Sequence, residues 1–297
     1  AEQLKSSVSC TVRLNELMSG HTSFKIGGPA DILVLPESIE QLREVLKVVK
    51  ETVVPLTLLG NGSNVLVRDK GIRGIVIKLG NMLRHFYEAE DLLVFGSGYS
   101  LALASYKAME CGKTGMEFAV GIPGSIGGAV YMNAGAYDGE MQNIVNCVKV
   151  MDLQGNERVL TAEELNFGYR KTSLQNSGLI VTEVTLKMPS GNKDEIKSKM
   201  DDFSHRRISK QPLEMPSAGS MFKRPPGYFA GTLIDQAGLK GYTVGGAQIS
   251  TKHAGFVVNV GGATAADVLQ LIKDVQTKIK AGVGVELQPE VLVIGEE

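Results

Sequence analysis

Apolar and polar residues alternate along the first eighty positions in a pattern that predicts a small mixed α/β layer. The apolar run 30–36 (ADILVLP) predicts a buried strand that ends at Pro36. Ser38 and Gln41 have the spacing of a capping box, and the apolar residues after them recur at helical spacing. Further apolar runs predict strands at 54–60, 64–67 and 74–80. These elements predict a β-α-β-β-β block.

A second block carries a similar mixture of strands and helices. Segment 92–98 predicts a strand, and Ser100 begins a helix that stops at Gly112. Residues 146–160 predict a hairpin that turns at 154–156, and 178–189 predict a further strand. This block therefore predicts a second sheet with its own covering helix.

A third block follows the polar stretch 190–195 (SGNKDE), which predicts a domain boundary. It begins with an amphipathic helix whose shared apolar face is formed by Ile196, Met200 and Phe203. Near its end, 265–282 predicts a long helix that closes at Gly282.

Composition narrows the class of protein. The chain has 297 residues, 43% of them hydrophobic, and no apolar run approaches the ~20 residues of a membrane span. A net charge of −1 gives no electrostatic footprint for nucleic acid. Three widely spaced cysteines predict free thiols, and four scattered histidines predict no metal site. The first ten residues lack the features of a secretion signal. We expect a cytoplasmic monomer that binds neither nucleic acid nor membrane.

The glycine content is unusually high. Glycine makes up 35 of the 297 residues, whereas the average content of ~7% would give about 21. The run TLLGNGSNVLV (57–67) leads a strand into a Gly-x-Gly turn, as nucleotide loops do. A Rossmann loop needs a third glycine and then a helix, but this run has Val65 and then strand-like sequence. Residues 96–101 do lie between a predicted strand and a predicted helix, but Leu101 takes the place of the third glycine, so they do not match the Rossmann motif either. No P-loop motif is present.

Two glycine segments remain candidates for binding an anion through backbone N–H groups. The first is 60–64, where Ser63 and Asn64 add side-chain donors, and the second is 121–128 (GIPGSIGG). Facing each other, they could hold a pyrophosphate. A plain turn is the alternative for residues 60–64, as it is for 96–101.

Long motifs in order along the chain resemble the UDP-N-acetylenolpyruvoylglucosamine reductase family, the UDP-N-acetylmuramate dehydrogenases of peptidoglycan synthesis. They are HTSFKIGGPAD, LGNGSNVLV, GIPGSIGGAVYMNAGAYDGE, FGYR, SAGSMFKRPPG and PEVLVIG. The resemblance runs from about residue 20 to the end. It implies an α+β fold: a two-part FAD-binding fold of the vanillyl-alcohol-oxidase (PCMH) type plus a third α+β domain that binds substrate.

The resemblance also implies the domain division. Residues 1–80 are expected to form FAD-binding subdomain 1, and the tail 290–297 could return to it. Residues 81–190 are expected to form FAD-binding subdomain 2, and 191–297 the substrate-binding domain.

The reaction that the resemblance implies uses non-covalent FAD, with NADPH as co-substrate. Hydride passes from flavin N5 to the terminal vinyl carbon of the enolpyruvyl sugar nucleotide, and a serine then protonates the carbon that bears the ether oxygen. Because a vinyl ether accepts hydride poorly, the site must stabilise charge on the carboxylate and supply a proton.

Three residues match the family's catalytic positions. Arg170 corresponds to the arginine that faces the carboxylate, Ser220 to the proton donor and Glu290 to an assisting glutamate, which we expect to act as a neutral acid. Without the resemblance, Arg170 would be interpreted as a surface ion-pair residue and Ser220 as a turn residue. Glu290, which interrupts an apolar strand, would indicate either a sheet edge or a function.

Binding residues are also implied by the resemblance. The cofactor set is Gly60, Asn61, Gly62, Ser63, Asn64, Gly121, Pro123, Gly124, Ser125, Gly127, Gly128, Asn133, Ala134 and Gly135. The substrate set is Tyr169, Arg207, Gln211, Lys223, Lys252 and Asn259.

The chain departs from one form of the family at KTSLQNS, the seven residues 171–177. The longer form carries an extra loop here with a tyrosine that covers the substrate, so this chain is expected to be of the shorter form. A flavin-dependent oxidase on the same fold is the alternative enzyme, and a catalytically silent flavin- or nucleotide-sugar-binding protein is a third hypothesis.

Overall fold

A computed structural model describes residues 2–52, 54–80 and 82–297. The helices are α1 (Glu2–Ser7), α2 (Ile39–Glu51), α3 (Leu101–Glu110), α4 (Ile126–Tyr131), α5 (Lys193–Lys210), α6 (Ala230–Gln236) and α7 (Ala265–Val283). The strands are β1 (Thr11–Leu17), β2 (Pro29–Leu35), β3 (Leu56–Leu59), β4 (Val65–Val67), β5 (Ile72–Lys78), β6 (Phe86–Ala89), β7 (Leu92–Gly96), β8 (Gly135–Ala136), β9 (Gly139–Glu140), β10 (Val145–Met151), β11 (Glu157–Thr161), β12 (Ile180–Lys187), β13 (Ser217–Ser220), β14 (Thr243–Val244), β15 (Ala247–Ile249), β16 (Phe256–Asn259) and β17 (Leu292–Ile294).

The chain divides into two compact units. The first contains residues 1–14, 32–61 and 75–206, and the second contains 15–31, 62–74 and 207–297. The chain changes unit within β1, β2, β5 and α5, and once in the loop after β3. The predicted division into 1–80, 81–190 and 191–297 follows sequence blocks rather than contacts, and it stays a prediction.

The first unit contains a five-stranded antiparallel sheet in the order β11-β10-β12-β7-β6. Helices α3 and α4 bury apolar side chains in the same core as this sheet, including Leu101, Ile126 and Val130. The predicted hairpin is confirmed, since β10 and β11 pair up to Met151 and Glu157 on either side of a turn at 152–156. Ser100 caps α3 by accepting a hydrogen bond from Leu103 N at 3.4 Å.

A second core in the first unit surrounds α2. The Ser38 side chain accepts a hydrogen bond from Gln41 N at 3.2 Å, which begins the helix where the sequence predicts it. The helix buries Leu42, Val45 and Leu46 against apolar residues of β5 such as Ile77. Strand β5 pairs in parallel with β3.

The second unit contains a four-stranded sheet in the order β13-β16-β15-β14, and α6 and α7 share its apolar core. Helix α7 buries one face, formed by residues that recur at helical spacing: Val268, Leu271, Ile272, Val275 and Ile279. The helix does not end at Gly282, however, but continues to Val283, because Gly284 adopts the left-handed capping conformation, with φ 73°.

Strand β17 pairs in parallel with β4 in the second unit, with Leu292 opposite Val65. The segment around β17 is also held by an ion pair between Arg68 and Glu297 at 2.8 Å and by a hydrogen bond from Arg68 N to Ile294 O at 2.9 Å. Within the described ranges, no helix combines the length and the apolarity that a membrane-crossing segment needs.

Candidate active site

The first glycine loop, 60–64, is built by close backbone approach. Gly62 has φ +68°, and a Cβ atom added to it would lie 2.3 Å from His21 O. Ser23 N also donates a hydrogen bond to Gly62 O at 3.1 Å. Only glycine fits this position without displacing backbone.

The second glycine loop, 121–128, lies against the first at one point. A Cβ atom added to Gly60 would lie 3.4 Å from Ser125 Oγ, so the predicted approach of the two loops is observed there. Gly121 and Gly124 have positive φ, at 73° and 129°. Backbone turns of this kind can present N–H groups to an anion such as a pyrophosphate.

Three N–H groups at the end of the second loop already have partners. Ile126 N donates to Tyr99 O at 2.8 Å, Gly127 N to Ser97 O at 2.9 Å, and Gly128 N to Ser125 Oγ at 3.3 Å. An added Cβ at Gly127 would lie 2.8 Å from Ser97 Cβ, so this glycine permits close packing. These three N–H groups are therefore engaged within the protein, and so is Ile122 N, which donates to Ala119 O at 3.1 Å. Gly127 and Gly128 stay predicted cofactor residues, but not through these N–H groups.

Asn133 is fully buried and has φ 42°. Its Nδ2 donates to Glu140 Oε2 at 3.1 Å and to Gly168 O at 3.0 Å. Its Oδ1 accepts a hydrogen bond from Gln142 N at 3.0 Å. The side chain of this predicted cofactor residue therefore braces the protein itself. Its role toward the cofactor, like that of Ala134 and Gly135, stays a prediction.

Arg170 lies beside the same segment. Its Nη1 donates to Asn133 O at 3.2 Å and its Nη2 to Gly135 O at 3.1 Å. The guanidinium also lies 5.1 Å from the ring centroid of Tyr169, whose side chain is half exposed. The structure thus brings three predicted cofactor and catalytic positions together in the first unit: 133, 135 and 170.

Ser220 and Glu290 are brought together in the second unit. Phe222 and Pro289 form an antiparallel bridge, and Glu290 N donates to Met221 O at 2.9 Å. Ser220 is exposed, and its Oγ donates a hydrogen bond to Phe222 O at 3.2 Å. Glu290 is half-buried. Two of the three predicted catalytic residues therefore lie on adjacent backbone segments.

Asn64 connects the first glycine loop to Glu290. Its Nδ2 donates to Glu290 O at 3.4 Å, and its own carbonyl accepts a hydrogen bond from Leu292 N at 3.0 Å. Asn64 thereby fixes the backbone that carries the carboxylate, which is a task that the sequence did not predict.

Arg207 and Gln211 lie at the end of α5, joined by a hydrogen bond from Gln211 N to Arg207 O at 2.8 Å. Arg207 is buried, with 8% of its surface exposed. Gln211 Oε1 is buried and accepts no hydrogen bond from the described residues. Buried acceptors without a hydrogen-bond donor are rare in folded proteins. The Gln211 oxygen can therefore accept a hydrogen bond from a bound ligand or from water.

The weaker substrate candidates differ from one another. Lys252 Nζ donates to Ile208 O at 2.8 Å and lies 3.6 Å from Glu214. The Asn259 side chain is buried and fully engaged by four backbone groups, those of Phe24, Lys25, Gly261 and Ala263. Lys223 joins the Glu290 region through its backbone, since Lys223 N donates to Gln288 O at 2.8 Å. All three stay predicted substrate residues.

The cysteines do not point to redox or metal chemistry. Cys10, Cys111 and Cys147 are free thiols. Burial, followed by the hydrogen bond to Glu88, raises the pKa of Cys111 to about 11, which makes it a poor nucleophile at neutral pH. No cluster of three or more His, Cys, Asp or Glu suited to a metal ion occurs in the described part of the chain.

Comparison with known families gives the class first. Residues 30–161 match a family model described as an FAD-binding domain, so this is a flavin-binding chain, and the predicted α+β FAD-binding fold and FAD cofactor are confirmed. Residues 211–294 match the model of the UDP-N-acetylenolpyruvoylglucosamine reductase C-terminal domain.

Full-length relatives carry the same name. A Clostridioides difficile UDP-N-acetylenolpyruvoylglucosamine reductase is 49% identical over 96% of this chain and 94% of its own length. The enzyme of that name from Clostridium perfringens is 51% identical over the same shares. The crystal structure of the Thermus caldophilus enzyme matches with a TM-score of 0.80 and 38% identity, covering 96% of this chain and 98% of its own. The chain belongs to the UDP-N-acetylenolpyruvoylglucosamine reductase family.

Proposed function

We propose that this protein is an NADPH- and FAD-dependent oxidoreductase that reduces UDP-N-acetylenolpyruvoylglucosamine to UDP-N-acetylmuramate in peptidoglycan precursor synthesis. The proposal depends on one observation. Over 96% of its length, this chain is 49% and 51% identical in sequence to two enzymes that bear this name. A cytoplasmic location and a monomeric state belong to the same proposal.

The glycine loops fit the cofactor that the family requires. At Gly62 an added Cβ would meet His21 O at 2.3 Å, and at Gly60 it would lie 3.4 Å from Ser125 Oγ. These residues would hold the pyrophosphate of FAD. When bound and reduced by NADPH, FAD supplies a hydride to the substrate.

Arg170 is proposed to hold the carboxylate of the enolpyruvyl group. Its two hydrogen bonds to main-chain carbonyls fix the plane of the guanidinium before any ligand arrives. A fixed cation stabilises the negative charge that develops on the carboxylate without reorganisation during the reaction. The planar fork also matches a carboxylate better than an ammonium would.

Ser220 is proposed to deliver the proton to the carbon that bears the ether oxygen. A serine hydroxyl is a weak acid, so it can serve only against a strongly basic, enolate-like intermediate. In the structure, its proton is directed to Phe222 O, and this hydrogen bond must open for delivery. Glu290 is proposed to assist the carboxylate as a neutral acid, because an ionised carboxylate there would oppose the reaction.

Anaerobic half-reactions test this proposal. FAD-loaded protein should be reduced by NADPH and then reoxidised by the enolpyruvyl sugar nucleotide in the absence of oxygen. NADPH oxidation that requires oxygen and ignores the sugar nucleotide would favour the alternative, a flavin-dependent oxidase. Protein that stays colourless after FAD is added would contradict both.

A further inference from the structure

Arg170 has an unusual backbone conformation. Its φ is 55°, in the left-handed region that non-glycine residues seldom occupy. It is the third residue of a tight turn closed by reciprocal hydrogen bonds between Gly168 and Lys171 at 2.9 and 3.1 Å. Glycine is the residue that usually takes a positive φ at this position of a turn. Such a conformation persists only where neighbouring groups fix it.

The side-chain amide of Gln175 is one such group. Its Nε2 donates to Arg170 O at 3.1 Å and to Tyr131 O at 3.1 Å. Thr172 Oγ1 donates to the same Tyr131 carbonyl at 2.9 Å. Gln175 therefore joins the turn that carries Arg170 to the C-terminal end of α4.

The same connection reaches the guanidinium. Tyr131 is the last residue of α4, and two residues later Asn133 presents the carbonyl that accepts a hydrogen bond from Arg170 Nη1 at 3.2 Å. Both ends of Arg170, its main-chain carbonyl and its guanidinium, are thus fixed to one short segment of chain. Gln175 is the residue that ties the main-chain end.

We propose that Gln175 is a positioning residue, which holds Arg170 in the conformation where its guanidinium can receive the substrate carboxylate. The inference rests on the proposed function of Arg170. Gln175 belongs to the short segment 171–177, in which the longer form of the family has an extra loop. In this chain, that segment supplies the Gln175 amide, which donates a hydrogen bond to the main-chain carbonyl of Arg170.

Ligand pairs that differ in the carboxylate test the proposal. UDP-N-acetylmuramate carries the carboxylate, and UDP-N-acetylglucosamine lacks it. Titration calorimetry on the FAD-loaded Gln175→Met variant should show roughly tenfold weaker binding of UDP-N-acetylmuramate, on the scale of one lost hydrogen bond. Its affinity for UDP-N-acetylglucosamine should be unchanged, because Arg170 has no carboxylate to meet there.

Two further variants distinguish positioning from general damage. Gln175→Asn keeps a neutral amide donor at this position and should retain more of the native ratio of affinities than Gln175→Met does. Ser173→Ala removes one hydrogen bond of the same segment, to Glu164 O at 2.8 Å, and should leave that ratio unchanged. Circular dichroism and flavin absorbance check that each variant folds.

The outcomes separate the two proposals. Native affinity of Gln175→Met for UDP-N-acetylmuramate, or an equal loss for both ligands, would overturn the positioning role and leave the proposed function intact. If the native protein itself does not distinguish the two ligands, the proposed role of Arg170 fails, and the role of Gln175 fails with it.

Discussion

The Arg170 region and the Ser220 region are built in opposite ways. Arg170 is held at three points, by the carbonyls of Asn133 and Gly135 and by the amide of Gln175. The Ser220 side chain is exposed, and within the described part of the chain its hydroxyl donates one hydrogen bond, to Phe222 O at 3.2 Å. A group that stabilises charge gains from being fixed in advance, whereas a group that gives up a proton must change partners. The difference in support matches the difference between the tasks proposed for the two residues.

The largest expected effect is at Ser220. Ser220→Ala should slow reoxidation of the reduced flavin by the enolpyruvyl sugar about 10³-fold, as loss of a general acid does. Reduction by NADPH should be unchanged. Because the side chain is exposed, the free energy of unfolding should change by less than about 0.5 kcal/mol. Anaerobic stopped-flow absorbance measures both half-reactions, with Ser173→Ala as the control. Equal slowing of both half-reactions would remove Ser220 from the proposed role.

In the Arg170 region, Arg170→Lys should slow the same reoxidation step by about 10²-fold. The charge is kept, but a single ammonium cannot reproduce the planar pair of hydrogen bonds to Asn133 O and Gly135 O. The control is Arg206→Lys, at an exposed arginine that is paired with Asp202 and should tolerate the change. An Arg170→Lys enzyme with native reoxidation would show that bracing of the guanidinium is unimportant.

Glycine substitutions extend the comparison to the backbone. Gly62→Ala should lower the free energy of unfolding by about 2 kcal/mol more than Gly238→Ala. Both residues have φ +68°, so the backbone strain is matched, but an added Cβ meets His21 O at Gly62 and nothing within 4 Å at Gly238. Urea unfolding with and without FAD measures the difference. Equal destabilisation would mean that the close approach at Gly62 is easily relieved.

The smallest expected effect is at Gln211. Gln211→Leu should change the free energy of unfolding by less than about 0.5 kcal/mol, because its buried Oε1 accepts no hydrogen bond from the described residues that the change would remove. Binding of UDP-N-acetylmuramate should weaken roughly tenfold, as when a ligand loses one good hydrogen bond. In contrast, Asn259→Leu leaves four backbone groups without their partner and should destabilise the fold by about 3 kcal/mol. Unchanged ligand affinity in Gln211→Leu would remove Gln211 from the substrate site.

The local elements were predictable because their signals lie within a few residues. Ser38 and Ser100 begin helices through hydrogen bonds to residues three positions later, which the spacing alone indicates. The buried face of α7 follows the helical period in the same way. The end of α7 was less predictable, since either of two glycines, Gly282 or Gly284, could have taken the left-handed cap.

The long-range hydrogen bonds that hold the site residues in place were not predictable from the sequence. Gln175 reaches Tyr131 across 44 positions, and Asn64 reaches Glu290 across 226 positions. No periodicity or spacing links such residues, because the contacts are made by the fold and not by neighbouring turns of chain. Arg170 and Ser220 themselves were found only through the resemblance to a family, since an arginine after a tyrosine and a serine after a glycine carry no signal of their own.

The parallel ladder between β17 and β4 has a consequence for how the molecule matures during synthesis. Leu292 to Ile294 find their places beside Val65 to Val67 only after more than two hundred intervening residues have been translated. Until residue 294 leaves the ribosome, β4 offers an unpaired edge, and the segment with Glu290 has no strand to align it. Contacts of such long sequence separation form slowly. A nascent chain that does not yet include β17 would thus expose β4 and leave the segment of Glu290 without its strand pairing, which favours aggregation.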